Sequence, residues 1–280
     1  MLQLTKATSA KPRRGYNTWV IQPVNGGRQL LDEIEGAPCP TPRIWWLGHS
    51  GFALKYRNAI VYIDPLLSAS LPGRLVSPPF AGKDVMHAGL VLSTHAHPGH
   101  LDAETAPAIL HASRRAKLVL PMSAAAHAHE LGIGYQRMVT TNADLRVEFL
   151  DDRIYAVPSA HPSLDWTPLG GYPYLGYLVR FGRYTIYHAG DGVPYDRLAD
   201  RLRPYNVNVA LLPIGGQHNF KIQEAAQLAQ QIGAEWLVPM HYDMFAASAV
   251  EADRFVDHML GNYPAQRFKV FRCGEGWSIP

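Results

Sequence analysis

The sequence predicts an α/β chain folded as a four-layer αββα sandwich, two mixed β-sheets packed face to face with helices outside. Three observations predict it. Short β-prone runs separated by turn residues open the body of the chain. Strands and helices then alternate through both halves. Hydrophobic residues make up 47% of the 280 residues, enough to bury a full core. Each sheet would then hide one face on the other sheet and one under helices.

In chain order, residues 1–40 are polar, carry Pro and Gly and show weak periodicity, so they read as an N-terminal extension that wraps the domain or stays loose. The folded domain is expected over 41–280. It opens with Arg43-Ile-Trp-Trp-Leu-Gly48, Gly51-Phe-Ala-Leu-Lys-Tyr56 and Ala59-Ile-Val-Tyr-Ile63, read as an antiparallel meander. Residues 65–84, rich in Pro, Ser and Gly, form a long loop of the kind often tied to function. Strands are expected at 89–94, 118–120, 146–150, 153–158, 174–181, 184–188, 207–213, 235–239, 268–272 and 276–279. Helices are expected at 102–114, 122–131, 194–202, 221–232 and 247–260. No internal repeat or low-complexity segment is seen.

Composition narrows the function classes. Net charge is +3, and basic residues are scattered apart from Lys11-Pro12-Arg13-Arg14 and Arg114-Arg115-Ala116-Lys117, both read as solvated surface. No long basic stripe marks a nucleic-acid surface, while a small anionic substrate is compatible with the balance. Cys39 and Cys273 form no CxxC pair, so neither a disulfide framework nor a thiolate metal site is indicated. No stretch has the length of a signal-peptide core or an integral membrane span, so a cytoplasmic protein is expected, with a homo-oligomer left open.

The chemistry concentrates in histidine. Three of 13 histidines fall inside Ser93-Thr-His95-Ala-His97-Pro-Gly-His100-Leu-Asp102, after a strongly apolar strand. On extended backbone, residues two apart point the same way, so His95 and His97 aim two imidazoles at one point beyond the strand end. Pro98-Gly99 then turns the chain and brings in His100. Further apolar strands end in His161, in Asp191 flanked by Gly190 and Gly192, and in His241. Taken singly, each is an ordinary loop residue. Four strand-end sites in series point to a divalent metal, for which neutral imidazole is the commonest protein ligand.

The order HxHxxH, His, Gly-Asp, His resembles the metallo-β-lactamase superfamily. Trp45-Trp-Leu-Gly-His-Ser-Gly-Phe52 and Tyr62-Ile-Asp-Pro65 look like its opening strands. Leu212-Pro-Ile-Gly-Gly216, Glu224-Ala and Val238-Pro-Met-His-Tyr242 are more like its L-ascorbate-6-phosphate lactonase branch. The similarity covers about residues 43–280. The resemblance implies a first metal on His95, His97 and His161, a second on His100 and His241, Asp191 bridging the two, and Asp64 as a supporting carboxylate. It also implies a metal-dependent hydrolase that uses metal-activated water on a small ester-like substrate such as a lactone or sugar-phosphate lactone. Zn2+ is the expected ion, with Mn2+ or Fe2+ compatible, in one or two copies.

One position departs from the pattern. The superfamily usually carries Asp before the third histidine of the motif, and here that residue is Gly99. The second site is then weak, empty, or completed by water or another residue, for which Asp102 and His218 are the candidates, although Asp102 reads equally well as a helix cap. Gly99→Asp is expected to strengthen it. His218 is also the expected proton donor or substrate contact beside Asp191, whereas His49 and His188 are read as structural or as hydrogen-bond donors near the centre. Trp166-Thr-Pro-Leu-Gly-Gly-Tyr-Pro-Tyr174 and the 65–84 loop are expected to roof the pocket. Two alternatives stand beside the lactonase: a phosphodiesterase resembling N-acyl-phosphatidylethanolamine phospholipase D, and a metal-binding protein with weakened catalysis.

Overall fold

The computed structural model describes residues 20–246, 250 and 252–280. Its first sheet is built from β1 (Arg43–Gly48), β2 (Gly51–Tyr56), β3 (Ala59–Ile63), β4 (Leu90–Leu92), β5 (Lys117–Pro121) and β6 (Met138–Thr141), with β14 (Gly276–Ser278) returning from the C-terminus to flank β1. The second holds β7 (Arg146–Phe149), β8 (Asp152–Pro158), β9 (Leu175–Phe181), β10 (Tyr184–His188), β11 (Val209–Pro213), β12 (Trp236–Met240) and β13 (Arg267–Phe268), side by side in chain order. Both sheets are mixed. β14, β1, β2 and β3 pair antiparallel and β3 to β6 parallel, while β7 to β10 pair antiparallel and β10 to β13 parallel. The predicted two-sheet α/β sandwich is thus the observed architecture.

Period-two alternation assigns the faces. Ile44, Trp46, Phe52, Leu54, Val61 and Ile63 turn toward the second sheet and pack with Ile154, Tyr177, Val179, Ile186 and Leu211. The intervening Trp45, Leu47, Ala53 and Tyr62 turn the other way. They pack under α1 (Gly27–Gly36) and α2 (Thr105–Ala112) through Leu30, Leu31, Ile34, Ile109 and Leu110. α3 (Ala125–Glu130) adds Ala128 to that same cluster, while α4 (Leu198–Leu202), α5 (Ile222–Gln231) and α6 (Ala252–Asn262) contribute Leu198, Leu202, Ala225, Leu228, Phe255 and Met259 to the core around the second sheet.

Several expectations are corrected. Within the expected extension, residues 27–36 form α1, whose Leu30 and Ile34 are fully buried. Glycines at both of its ends and the absence of a side-chain N-cap hide it in the sequence. Residues 1–19 lie outside the described residues. The edge strand β6 was not anticipated, because only Thr141 of its four residues is fully buried and it leaves no alternating pattern. The strand expected at 268–272 is paired only at Arg267–Phe268. Helix α2 starts at Thr105 rather than 102, with Pro107 in its first turn, where the missing N–H costs nothing. The expected helix start at 247 falls on residues outside those described.

Leu30→Ala is expected to lower stability by about 2–5 kcal/mol, read from the urea midpoint. An unchanged midpoint would show that α1 is an appendage and not part of the core.

Candidate metal centre

The strand ends meet at one rim, and hydrogen bonds set each ring there. Asp64, at the end of β3, is fully buried with φ 43°. Its carboxylate accepts the Thr94 N–H at 2.8 Å and the Thr94 hydroxyl at 2.7 Å. His100 Nδ1 lies 2.7 Å from the same carboxylate, so it carries the proton and leaves Nε2 for the centre. His161 is fixed likewise: Nδ1–H donates to the His218 carbonyl at 3.0 Å. His95 sets Nδ1 against the Thr94 hydroxyl at 3.0 Å, and its Nε2 faces inward.

Asp191 sits on a turn that only glycine allows. Gly190 has φ +67°, and a Cβ there would lie 2.8 Å from the Leu175 carbonyl and 3.0 Å from the Thr94 side chain. The buried His188 braces this turn, donating through Nε2–H to the Ser50 carbonyl at 2.8 Å and accepting the Gly190 N–H at Nδ1 at 3.1 Å. It is therefore a structural histidine. Asp191 Oδ2 then lies 3.3 Å from His100 Nε2, 3.5 Å from His241 Nε2 and 4.0 Å from His161 Nε2.

Two groups of imidazoles result. Ring nitrogens of His95, His97 and His161 lie within 4.8 Å of one another, as do those of His49, His100 and His241, and Asp191 closes a third group with His95 and His100. His95 Nε2, His49 Nδ1, His241 Nδ1 and Asp191 Oδ1 are buried with no hydrogen-bond partner among the described residues. Buried polar atoms are otherwise nearly always paired, so these unpaired acceptors fit a cation.

The electrostatics agree. Burial first, then neighbouring imidazoles, hold His49, His95 and His97 below the ordinary histidine range, hence neutral. Burial would raise the Asp191 carboxyl, but His100 and His241 outweigh it and hold it well below the usual range. Burial would lower His100, but Asp191 and Asp64 outweigh it and lift it to about 10. Neutral imidazoles and an ionised carboxylate are the forms that bind a metal, and the His100 proton is the one an ion must displace.

The structure brings His95, His97, His100, His161, Asp191 and His241 together. His218 stands at the exposed rim, its ring centroid 5.8 Å from that of His161. For Asp102 the contacts favour the helix-cap reading over the metal-site one. Its carboxylate accepts the Ser68 hydroxyl and the Thr105 N–H and hydroxyl, capping α2 and tethering the 65–84 loop, so it does not replace the carboxylate missing at 99.

The expected roof is only partly present. Tyr174 packs 5.2–5.6 Å from the rings of His95, His97 and His161, while Leu164, Trp166 and Leu169 are exposed. The 65–84 loop is drawn inward by buried Arg74, which donates to the carbonyls of Leu66, Ser68 and Val76. His49, read from the sequence as structural or as a hydrogen-bond donor near the centre, lies against His100 and His241. The only sequence signal for it was a histidine in the turn after an aromatic strand.

The family model described as "Beta-lactamase superfamily domain" matches residues 43–241. A UPF0173 metal-dependent hydrolase of Methanopyrus kandleri is 34% identical over 219 residues, 76% of this chain and 89% of that protein. One from Hyperthermus butylicus is 30% identical over 220 residues, 76% of this chain and 90% of that protein. Among solved structures, Igni18, a metallo hydrolase of Ignicoccus hospitalis, superposes with a TM-score of 0.71 at 24% identity, covering 86% of this chain and 99% of that one. Among the described residues, no helix is long and apolar enough to cross a membrane. A match over most of the chain, joined to a rim of imidazoles around one carboxylate, makes this chain a member of the beta-lactamase superfamily and a metal-dependent hydrolase.

Proposed function

We propose that the chain hydrolyses a small ester-like substrate, a lactone or sugar-phosphate lactone, at a centre for one or two divalent cations, Zn2+ before Mn2+ or Fe2+. The supporting observation is that imidazoles from both groups approach the single oxygen Asp191 Oδ2. His95, His97 and His161 would hold one ion and His100 and His241 the other, with Asp191 between them. A divalent ion so held acidifies water and polarises the oxygen of a carbonyl or phosphoryl group.

The protein's own groups do the rest. Asp191 Oδ1, buried and unpartnered among the described residues, orients the attacking water. The water oxygen bonds to the acyl carbon as its proton passes to Asp191 Oδ1, the ring C–O bond breaks, His218 at the rim donates the proton that the departing alkoxide takes, and the proton held by Asp191 returns to His218 through solvent. Exposed Gln217 and His218 offer hydrogen bonds to a polyol or phosphate. The hydrolase domain is assigned to 41–280, with residues 1–40 as an extension whose described part closes over the first sheet.

A second reading has one observation in its favour. Leu164, Trp166 and Leu169 stand exposed on the loop that follows His161, an apolar lip suited to a phosphodiester with an apolar tail. The test is elemental analysis of protein purified without added metal, followed by parallel turnover of lactones, a sugar-phosphate lactone, linear esters and phosphodiesters. Lactone hydrolysis that disappears with chelator and returns with Zn2+ is expected. Turnover of phosphodiesters alone would transfer the assignment to the second reading. Tight metal binding without turnover of any of them would leave a non-catalytic metal protein.

A further inference from the structure

His49 faces the centre yet belongs to neither ligand set above. It occupies the turn between β1 and β2, is 6% exposed and has φ 54°, following Gly48 at φ 95°. A left-handed backbone at histidine is uncommon and costs free energy unless the surroundings hold it in place. Here its carbonyl accepts the Trp46 indole N–H at 3.0 Å and the His241 N–H at 2.9 Å. His241 itself has φ 63°. The pair of left-handed residues thus ties two distant turns together and brings their rings into contact, tilted by 47° with centroids 3.9 Å apart.

Position 99 supplies the second argument. A Cβ built there would lie 3.0 Å from His49 Cε1. The imidazole abuts the space that a side chain at 99 would enter, so a carboxylate there crowds the present His49 rotamer and the ring must give way by a few tenths of an ångström. The third is an unsatisfied atom: His49 Nδ1 is buried with no partner among the described residues. One ring nitrogen from each of His49, His100 and His241 lies within 4.8 Å of the other two.

We propose that His49 is a protein ligand of the second cation, taking the role that a carboxylate at position 99 would otherwise fill. The proposal rests on the two-ion reading above and completes it: each ion is held by three imidazoles and both share Asp191. A pocket of nitrogen donors with one carboxylate suits Zn2+ better than Mn2+ or Mg2+. It also holds one negative charge fewer than a pocket with Asp at 99.

The test titrates metal-free protein with Zn2+ against a chelator and follows Co2+ uptake by visible absorption. Wild type is expected to take two ions. His49→Asn, a residue that tolerates the left-handed backbone, is expected to keep the first and bind the second more weakly by over about 100-fold, the upper range for losing even an outer partner of a ligand. His49→Asn/Gly99→Asp is expected to recover the second ion, because the ring no longer crowds the carboxylate. Gly99→Asp alone, expected from the sequence to strengthen the second site, is crowded against His49 and is instead expected to gain nothing. In unaltered protein, NMR couplings from bound cadmium to labelled histidine nitrogens should include His49, which keeps the test valid if the variants fold poorly.

A second ion held at wild-type affinity by folded His49→Asn, or no coupling to His49, overturns the proposal while leaving the two-ion centre standing. Uptake of one ion by wild type also overturns it. No uptake at all removes the metal-centre reading as well.

Discussion

Asp191→Asn is expected to weaken both ions by more than about 100-fold and to abolish hydrolysis, although the amide matches the carboxylate in shape. The carboxylate's Oδ2 lies 3.3–4.0 Å from ring nitrogens of His100, His241 and His161. Removing its charge therefore affects both groups of ligands at once, whereas His97→Ala, at the exposed edge, touches one. Competition titration with Zn2+ reads the effect directly. Two ions retained at wild-type affinity would place Asp191 outside the centre.

Asp64→Ala is expected to cost about 1–3 kcal/mol in the metal-free protein, because it leaves buried Thr94 and His100 donors without an acceptor, while His100 keeps Asp191 as its charge partner. Asp64 makes three bonds from a fully buried position, two to Thr94 and one to His100. The pH dependence has a definite sign. The folded-state pKa of His100 is raised to about 10, so its pairing with the carboxylates stabilises the metal-free fold fully below about pH 6.5, the ordinary histidine value. That stabilisation fades as pH rises through about 10. Urea midpoints of the two metal-free proteins should therefore converge at high pH, apart from the lost Thr94 bonds. A gap that widens with pH would refute the pairing.

Asp102→Ala is the informative contrast. It removes a cap of α2 and a loop tether, worth about 0.5–2 kcal/mol, and leaves the His100 ring nitrogens untouched.

Much of the centre was legible because its residues lie where apolar runs stop. His95 and His97 follow the strand that becomes β4, spaced two apart on extended chain. His161, Asp191 and His241 terminate or follow the runs that become β8, β10 and β12. The helix α1 was not legible. Its spacing of Leu30, Leu31 and Ile34 is helical, but polar and glycine-rich flanks made the segment look like linker until Trp45 and Leu47 were seen beneath it. Asp102 had two readings in the sequence, a carboxylate near the metal or a helix cap, and local spacing did not decide between them. A carboxylate close to a histidine motif in sequence turned out to spend its lone pairs on the helix start and Ser68.

The sequence by itself determined the layered α/β class, the chain positions at which strands hand over to functional turns, and the donor types available to a cation. Those properties are local: they depend on side-chain alternation, turn-forming residues and the chemistry of imidazole and carboxylate. Only the tertiary structure decided which donors meet. His49 and Gly99 are separated by three strands and a long loop, and nothing in either segment announces that one ring lies against the space beside the other. That contact exists because strand order and the packing of the two sheets bring separate turns to the same rim, and distances set by packing cannot be read from spacing along the chain.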